Sequence, residues 1–547
     1  MIITLKLDEG CGRGPTLIAR VVIENFKAFR RFELELNDDI NIIIGNNESG
    51  KTTILEAIHL AMTLRLNGRT LQIPDLSPYL FNTEAVEEFV QQVQEGENPE
   101  PPRILVEVYF NDTADEVQQL RGSNNSRRED AVGVRVEIRF NDEFSEEYAK
   151  LLENPDALFL VPVEYYTVDW YSFANSRLTS RSLGLRAFYI DSTSLKFQNG
   201  ADYYLQRVIN ETLAPKDRVL LAMAYRTLKH SFADAAQIKA INAELAAHRL
   251  TEKKLSLSLD ISPRSGWESS LIPYLDDVPF PFIGQGGQHV LKTLWALKRS
   301  VSDEDRVVLL EEPENHLSFS AMNKLISQVQ QQLPGRQLIA TTHSPYILNK
   351  LGIEHLLLLA NGRPTKIANL SKSTREYFKK LPGYDTLRII LAKKAILVEG
   401  PSDELIVQKA YKIKYGKLPI QDEIDVMSVR GLSFKRFLDI AVALQLDVVV
   451  VTDNDANSAR VARNYADYTK HSNIRICYSS DDALHTLERH MAEVNPLATL
   501  NSVFGTKLTS KIDMADHMIN HKTDCAMKIF DTDKEIVFPG YINDAIE

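Results

Sequence analysis

Cysteine is scarce in this sequence, with three in 547 residues. Cys11, Cys477 and Cys525 lie far apart and form no C-x-x-C pair. That supports neither a zinc ribbon nor a disulfide framework and fits a reducing cytosol. Long hydrophobic runs are also missing: no stretch approaches the roughly 20 apolar residues needed to span a bilayer. The opening MIITLKLDEGCGRG places Asp8 and Glu9 where a signal peptide has its apolar centre. A cytoplasmic protein with no membrane contact is therefore expected. Nor is there an excess of positive charge, since 63 Lys and Arg stand against 74 Asp and Glu, a net −11. This argues against a chain that coats nucleic acid through bulk electrostatics, while leaving room for a local basic groove.

What is present is ordinary globular material, 44% hydrophobic and 25% charged, in a length that calls for roughly two to four domains. Alternation in ARVVIENF and RRFELEL reads as two half-buried strands, NIIIG as a buried strand and TTILEAIHLAM as a helix. RILVEVYF at 103–110 and GVRVEIRF at 133–140 predict a hairpin. The acidic stretch 83–101 and the polar stretch 112–131 read as loops or insertions. Residues 201–254 are rich in helix formers with few breakers and read as long helices, a projecting hairpin among the arrangements open to them. α/β texture returns through RVVLLEEPE and RQLIATTHS. After the basic stretch LSKSTREYFKKLPGYDT it resumes at KKAILVEGPSDELIV.

Gly45-Asn46-Asn47-Glu48-Ser49-Gly50-Lys51-Thr52 is a complete G-x-x-x-x-G-K-[ST] lying between a strand and a helix, the context the motif requires. Backbone N–H groups from Asn46 to Thr53 would surround phosphates at the positive end of the helix. Lys51 would reach the terminal phosphates and the Thr52 hydroxyl would bind magnesium. VVLLEEPENHL supplies a strand ending in Glu311, placed to hold magnesium through water, and Glu312, placed to orient an attacking water. Gly284-Gln285-Gly286-Gly287-Gln288, before HVLKTLWAL, aims backbone donors at phosphate, and His343 ends another apolar strand where an imidazole could meet a γ-phosphate. Singly, each has a plain reading as helix cap, turn or strand-end histidine, and it is their order that points to nucleotide chemistry.

This set resembles the ABC-type ATPase heads of the RecF, SMC and Rad50 group. The resemblance implies ATP sandwiched between two heads, with Gly286 of the signature loop serving the neighbouring copy. The signature here reads Ile283-Gly-Gln-Gly-Gly-Gln rather than Leu-Ser-Gly-Gly-Gln, which puts strong ATP-driven closure in doubt. A lid glutamine is implied between Lys51 and Gly284, with Gln72 as a candidate.

A second carboxylate set follows. Strand AILVEG ends in Glu399, with Asp403 just inside the next helix, and LDVVVVTDND ends in Asp453 and Asp455. In an open parallel sheet ligands gather at the carboxyl ends of the strands, so these four groups should converge there. Converging carboxylates repel unless cations compensate them, and hard oxygen ligands suit magnesium or manganese. Read alone, Asp453 and Asp455 could merely form a turn and cap a helix.

Glu followed by D-x-D at such strand tips looks like a Toprim domain. A head followed by Toprim resembles the OLD (overcoming lysogenization defect) family of nucleases, which includes the nuclease subunit of the Gabija antiphage system and effectors of some retrons. The resemblance implies a further metal ligand at Glu488 and a lysine at Lys522, although Lys522 could equally be an exposed lysine at a helix start. It implies an α/β chain in which a RecF/SMC-like ABC ATPase head with a helical insertion precedes a C-terminal Toprim domain. The expected boundaries are 1–200 for the first part of the head, 201–255 for a helical dimerisation segment, 256–375 for the rest of the head, 376–392 for a linker and 393–547 for Toprim.

The function implied is ATP-linked, Mg2+- or Mn2+-dependent cleavage of DNA in antiphage defence. The implied partners are DNA, a second copy or higher homo-oligomer joined through the heads, and a defence partner such as a helicase or a retron's reverse transcriptase with its DNA product. The alternative is an ATP-driven repair or chromosome-associated protein whose Toprim region binds nucleic acid without cutting it.

Overall fold

Two six-stranded sheets and one four-stranded sheet organise the described chain. The computed structural model describes residues 17–547 apart from 67–68, 112–114, 154–157, 180–182, 184, 192–213, 248–256, 258–273, 300–304, 361, 368–369, 382–385 and 430–433. By compactness it divides into two units, residues 1–41 with 50–341, and residues 42–49 with 342–547.

The first sheet belongs to the first unit and is antiparallel. Ile18–Phe26 lies between Phe29–Glu35 and Ile104–Phe110, and the latter pairs with Ala131–Phe140, Ile104 opposite Ile138. The expected hairpin is therefore present. Alternation produces it: Val106 and Val108 are buried on one strand and Val134, Val136 and Ile138 on its partner. Residues 83–101, expected as a loop, instead hold a helix over Thr83–Gln94. The Asn82 side chain caps it at Ala85 N–H, and Ala85, Val86, Phe89 and Val93 are buried along one face. The acidic residues that suggested a loop sit on its other face.

The second sheet runs in the order Arg186–Asp191, Asp305–Glu311, Gln337–Thr341, Ile40–Gly45, Leu356–Ala360, Arg363–Lys366. Its first three strands are parallel to one another, as are Ile40–Gly45 and Leu356–Ala360. Within 201–255 the helices Pro215–Ala233 and Ala236–Ala247 form as expected, while 201–213 and 248–255 lie outside the described residues. Cys11 also lies outside them.

The third sheet is all parallel, ordered Ile424–Ser428, Lys394–Val398, Asp447–Val451, Ile474–Cys477. From Lys394–Val398 the chain steps to one side and then returns to the other, so the strand order reverses between Lys394–Val398 and Asp447–Val451. That is a topological switch point, where an open α/β sheet leaves a crevice. Helices carrying Ile406, Val407, Met491, Met514 and Ile529 cover a core that includes Ile396, Val398, Val449 and Val451.

The stretch 376–392, expected as a linker, is largely helical, with Lys372–Lys380 and Thr386–Leu391. Phe378 is fully buried and meets Phe437 edge to face, and Leu387, Ile389 and Ile390 are buried too, so hydrophobic burial overrides the polar composition. The Thr386 hydroxyl donates to Asn349 Oδ1 at 2.9 Å, tying these helices to Pro345–Leu351. Among the described residues no helix is long and apolar enough to cross a membrane.

Gln337, fully buried in the first unit, accepts from Ile18 N–H at 2.9 Å and donates to the Ile18 and Asn37 carbonyls at 2.8 and 2.7 Å. Gln337→Leu strands two buried backbone groups, the Ile18 N–H and carbonyl, while the Asn37 carbonyl keeps Asn41 as a donor, and a loss of about 2–4 kcal/mol is expected. It would be read as an earlier denaturant transition.

Candidate functional site

Two centres emerge, one at the glycine loop and one at the third sheet. In the first, the helix Lys51–Thr63 starts directly from the glycine loop. Gly50 has φ 92°, and a Cβ there would enter the ring of Phe29, so both conformation and space demand glycine. Lys51 is buried. Burial lowers its pKa, opposed by Glu312 and Glu311. The Thr52 hydroxyl donates to one oxygen of Glu311 and the Tyr189 hydroxyl to the other, so both carboxylate oxygens are held. Tyr189, from the neighbouring strand, also packs its ring on His59 of the same helix, 5.5 Å between centroids. Sequence reading missed Tyr189, which sits in FYID with no motif around it.

Glu312 has φ 41°, held by its N–H to the Thr341 carbonyl at 3.0 Å and by Asn315, which donates to its carboxylate at 2.8 Å. Gly286 and Gly287 of the signature lie in the first turn of the helix Gln285–Arg299, and only Gly284 precedes it. Gly286 lies so close to the His316 carbonyl that a side chain would collide with it. Gln288 folds back to donate to the Phe280 and Ile283 carbonyls at 3.0 and 2.8 Å, and His289 meets the Pro313 carbonyl at 3.1 Å. The start of the signature helix therefore rests on the turn that follows Glu311 and Glu312. Gln72 is exposed ahead of the short turn Ile73–Asp75, and His343 is exposed two residues past the strand Gln337–Thr341.

In the second unit, Glu399 leaves the end of Lys394–Val398 and reaches across to the end of the adjacent strand. Its Oε1 accepts from the Thr452 hydroxyl at 2.6 Å and from Asp453 N–H at 3.1 Å. The reversal of strand order places these two tips side by side, which is why residues 54 apart meet. Asp403 accepts from Gly400 N–H at 2.9 Å and so caps its own helix. Glu488, buried in the first turn of Leu487–Val494, lies 3.2 Å from Lys522 through Oε1, while its Oε2 is buried with no partner.

Charge shows how close these groups stand. Burial, then Glu399, Asp403 and Glu488, push the Asp453 carboxyl up to about 8. Burial and Glu399 likewise push Asp403 up to about 6, against its backbone hydrogen bond. Burial alone would lower Lys522, but Glu488, Asp453 and Asp403 hold it above the ordinary lysine value. Tyr541, on a later helix, is buried, and its phenol is held well above its usual pKa by that burial and by Asp453, Asp403, Glu488 and Glu399. Tyr541 and Thr452 were both missed in the sequence, although Thr452 lies within LDVVVVTDND.

Asp455 stands apart. Its backbone is left-handed at φ 49°, and its side chain, 62% exposed, lies 3.6 Å from Arg460. Among the described residues no three Asp, Glu, His or Cys side chains are gathered closely enough to hold an ion as they are placed. Glu399, Asp403, Glu488 and Asp455 rest instead on local donors. The donor set nonetheless fits a hard divalent cation: all-oxygen, crowded with like charge, and carrying one orphaned buried carboxylate oxygen at Glu488.

Family models match three stretches. An AAA domain matches residues 20–180, an AAA domain described as a putative AbiEii toxin of a type IV TA system matches 247–349, and an overcoming lysogenization defect protein-like Toprim domain matches 390–455. The chain is 20% identical to Endonuclease GajA of Bacillus cereus (strain VD045) over 472 residues, 81% of this chain and 75% of that protein. Over 46 residues, 8% of this chain and 5% of the relative, it is 48% identical to the DNA double-strand break repair Rad50 ATPase of Methanopyrus kandleri. An Smc head domain derived from Pyrococcus furiosus, solved with the C-terminal domain of ScpA, aligns over 67% of this chain and 99% of its own at 12% identity. Its TM-score of 0.32 is too low to equate the folds. AAA-type ATPase domains followed by an OLD-like Toprim domain give this chain the make-up of an OLD-type ATPase–Toprim nuclease.

Proposed function

We propose that this chain is a divalent-cation-dependent DNA endonuclease whose cutting is controlled by its ATPase, acting in antiphage defence. The observation that carries the reading is that Glu399 is held against the Asp453 backbone at the switch point of the third sheet while Glu488 lies 3.2 Å from Lys522, with Asp403 and Asp453 raised by the same set of charges. Similarity to Endonuclease GajA supports internal cleavage of a nucleic acid; DNA as the substrate and defence as the setting rest on the resemblance to the OLD family.

Glu399, Asp403, Asp453 and Glu488 would hold Mg2+ or Mn2+, with Asp455 joining once it leaves Arg460. The cation, when bound, activates water and stabilises the leaving oxygen of the phosphodiester. Thr452 and the Asp453 N–H orient Glu399, so that its second oxygen is free to turn outward. Lys522 offers an ammonium to phosphate charge that grows during displacement, and Glu488 keeps it protonated. In the head, Lys51 and the backbone from Asn46 to Thr53 would bind ATP phosphates, with Thr52 and Glu311 serving its Mg2+, Glu312 its attacking water and His343 its γ-phosphate. Gly286 would serve the ATP of a second copy, making the working form at least a homodimer.

Asp453→Ala should abolish Mg2+-dependent nicking of plasmid DNA, a fall of at least about 1,000-fold, while ATP binding is unchanged. Cutting by a clean preparation of this variant would remove the site assignment. No cleavage by the wild type with Mg2+, Mn2+ or Ca2+ would favour a DNA-binding repair protein instead. Lys51→Ala should weaken ATP binding by about 10-fold or more, measured by fluorescent-nucleotide titration, and unchanged affinity would remove Lys51 from the site.

A pH effect follows from Asp453 and Asp403. Their folded pKa values, about 8 and about 6, lie above the unfolded value near 3.9. The native state therefore binds more protons, and without divalent cation the stability of the second unit should fall as pH rises from about 4 to 8. Thermal melts in EDTA should show this fall, and either Mg2+ or Asp453→Asn should flatten it. A melt that rises with pH across that window would contradict the arrangement.

A further inference from the structure

We infer that Asn454, between the two aspartates of the D-x-D, is a positioning residue that sets the spacing between the two halves of the carboxylate site. The inference rests on reading that site as a cation-dependent nuclease centre. Asn454 is 2% exposed and belongs to neither strand nor helix. Its Nδ2 donates to the Ser479 carbonyl at 2.9 Å and the Asp481 carbonyl at 2.8 Å, while Oδ1 accepts from Ala456 N–H at 3.0 Å. A carboxamide supplies two donors and an acceptor on one short stem. Aspartate would turn an oxygen toward two carbonyls. Serine could keep the local turn but could not reach both carbonyls.

The place of these bonds gives them their effect. One half of the site hangs from the end of Asp447–Val451, which carries Asp453 and steadies Glu399. The other half follows Ile474–Cys477: the chain runs through Ser479–Asp482 into the helix that bears Glu488, the partner of Lys522. The sheet ladder joins Val451 to Cys477, and Thr452 N–H to the Cys477 carbonyl at 3.2 Å continues it by one bond. Past that point the two loops are joined by Asn454 and by Ser458 N–H to Asp482 Oδ1 at 2.7 Å. The turn also needs restraint, because Asp455 and Ala456 both hold left-handed backbone, φ 49° and 57°, which costs of order 1 kcal/mol or more per residue. With the bridge cut, the turn is free to relax, and Asp453 and Glu488 drift relative to one another.

The test uses the full-length chain with Asn454→Ser and Asn454→Asp, reading Mn2+ binding by calorimetry, the Mg2+ dependence of plasmid nicking, and thermal melting. Asn454→Ser should raise the Mg2+ concentration for half-maximal nicking about 10-fold or more, as loss of an outer-shell partner does. Mn2+ affinity should weaken in parallel, while the rate at saturating Mg2+ changes by less than about 3-fold. Asn454→Asp should act in the same direction and more strongly. Wild-type Mn2+ affinity in both variants overturns the inference, as does a loss of saturating rate with metal dependence unchanged. If neither variant folds, Asp482→Ala decides: it removes only the bond to Ser458 and must weaken Mn2+ binding by a smaller factor, and no weakening overturns the inference. If the wild type neither binds Mn2+ nor nicks while melting normally, the nuclease reading has failed and takes this inference with it.

Discussion

Like charge held at close quarters is the constraint on which the second unit depends. Two parallel strands of apolar β-branched residues end next to one another, and each delivers a carboxylate to the same crevice. Asp403 and Glu488 add two more from helix starts. Folding brings these groups out of water and toward each other, and both effects disfavour ionisation. The chain manages part of that cost with donors placed at three of the four: Thr452 for Glu399, Gly400 for Asp403, Lys522 for Glu488. What remains uncompensated is the electrostatic character expected of a site whose affinity is reserved for a cation.

The head solves a different problem with related means. Its loop must present backbone N–H groups to phosphate, so it requires Gly50 at a left-handed φ with Phe29 packed beneath it. Its charges are opposite in sign and mutually supporting: Lys51 is buried, and Glu311 and Glu312 act to keep it protonated. Glu311 is gripped from both sides by Thr52 and Tyr189. A ligand that draws Thr52 away would leave Glu311 still anchored by the phenol, so the carboxylate keeps its place while its partner moves.

Much of this was legible before any coordinates, for identifiable reasons. The glycine loop, the strand ending in Glu311 and the strands ending in Glu399 and Asp453 announce themselves because backbone geometry and buried pleats demand particular residues at fixed spacing. Thr83–Gln94 and 376–392 were misjudged because charge on an outer face hid a stripe of buried residues that only packing reveals. Tyr189, Thr452 and Tyr541 were invisible for another reason. Each acts through a partner that is remote in sequence or across a strand boundary, and a single sequence contains no trace of that pairing. Asp455 illustrates the reverse: the motif includes it, yet the turn that makes the motif possible points its side chain at Arg460.

The salt bridge between Glu488 and Lys522 has a consequence for the order of events during synthesis. The core beneath the strand tips bearing Glu399 and Asp453 is closed by helices that carry Met491, Met514 and Ile529, and a domain folds as a unit. The crevice is therefore completed only after Lys522 has left the ribosome, some seventy residues behind Val451. Folding assembles the acidic cluster and its internal counter-charge together.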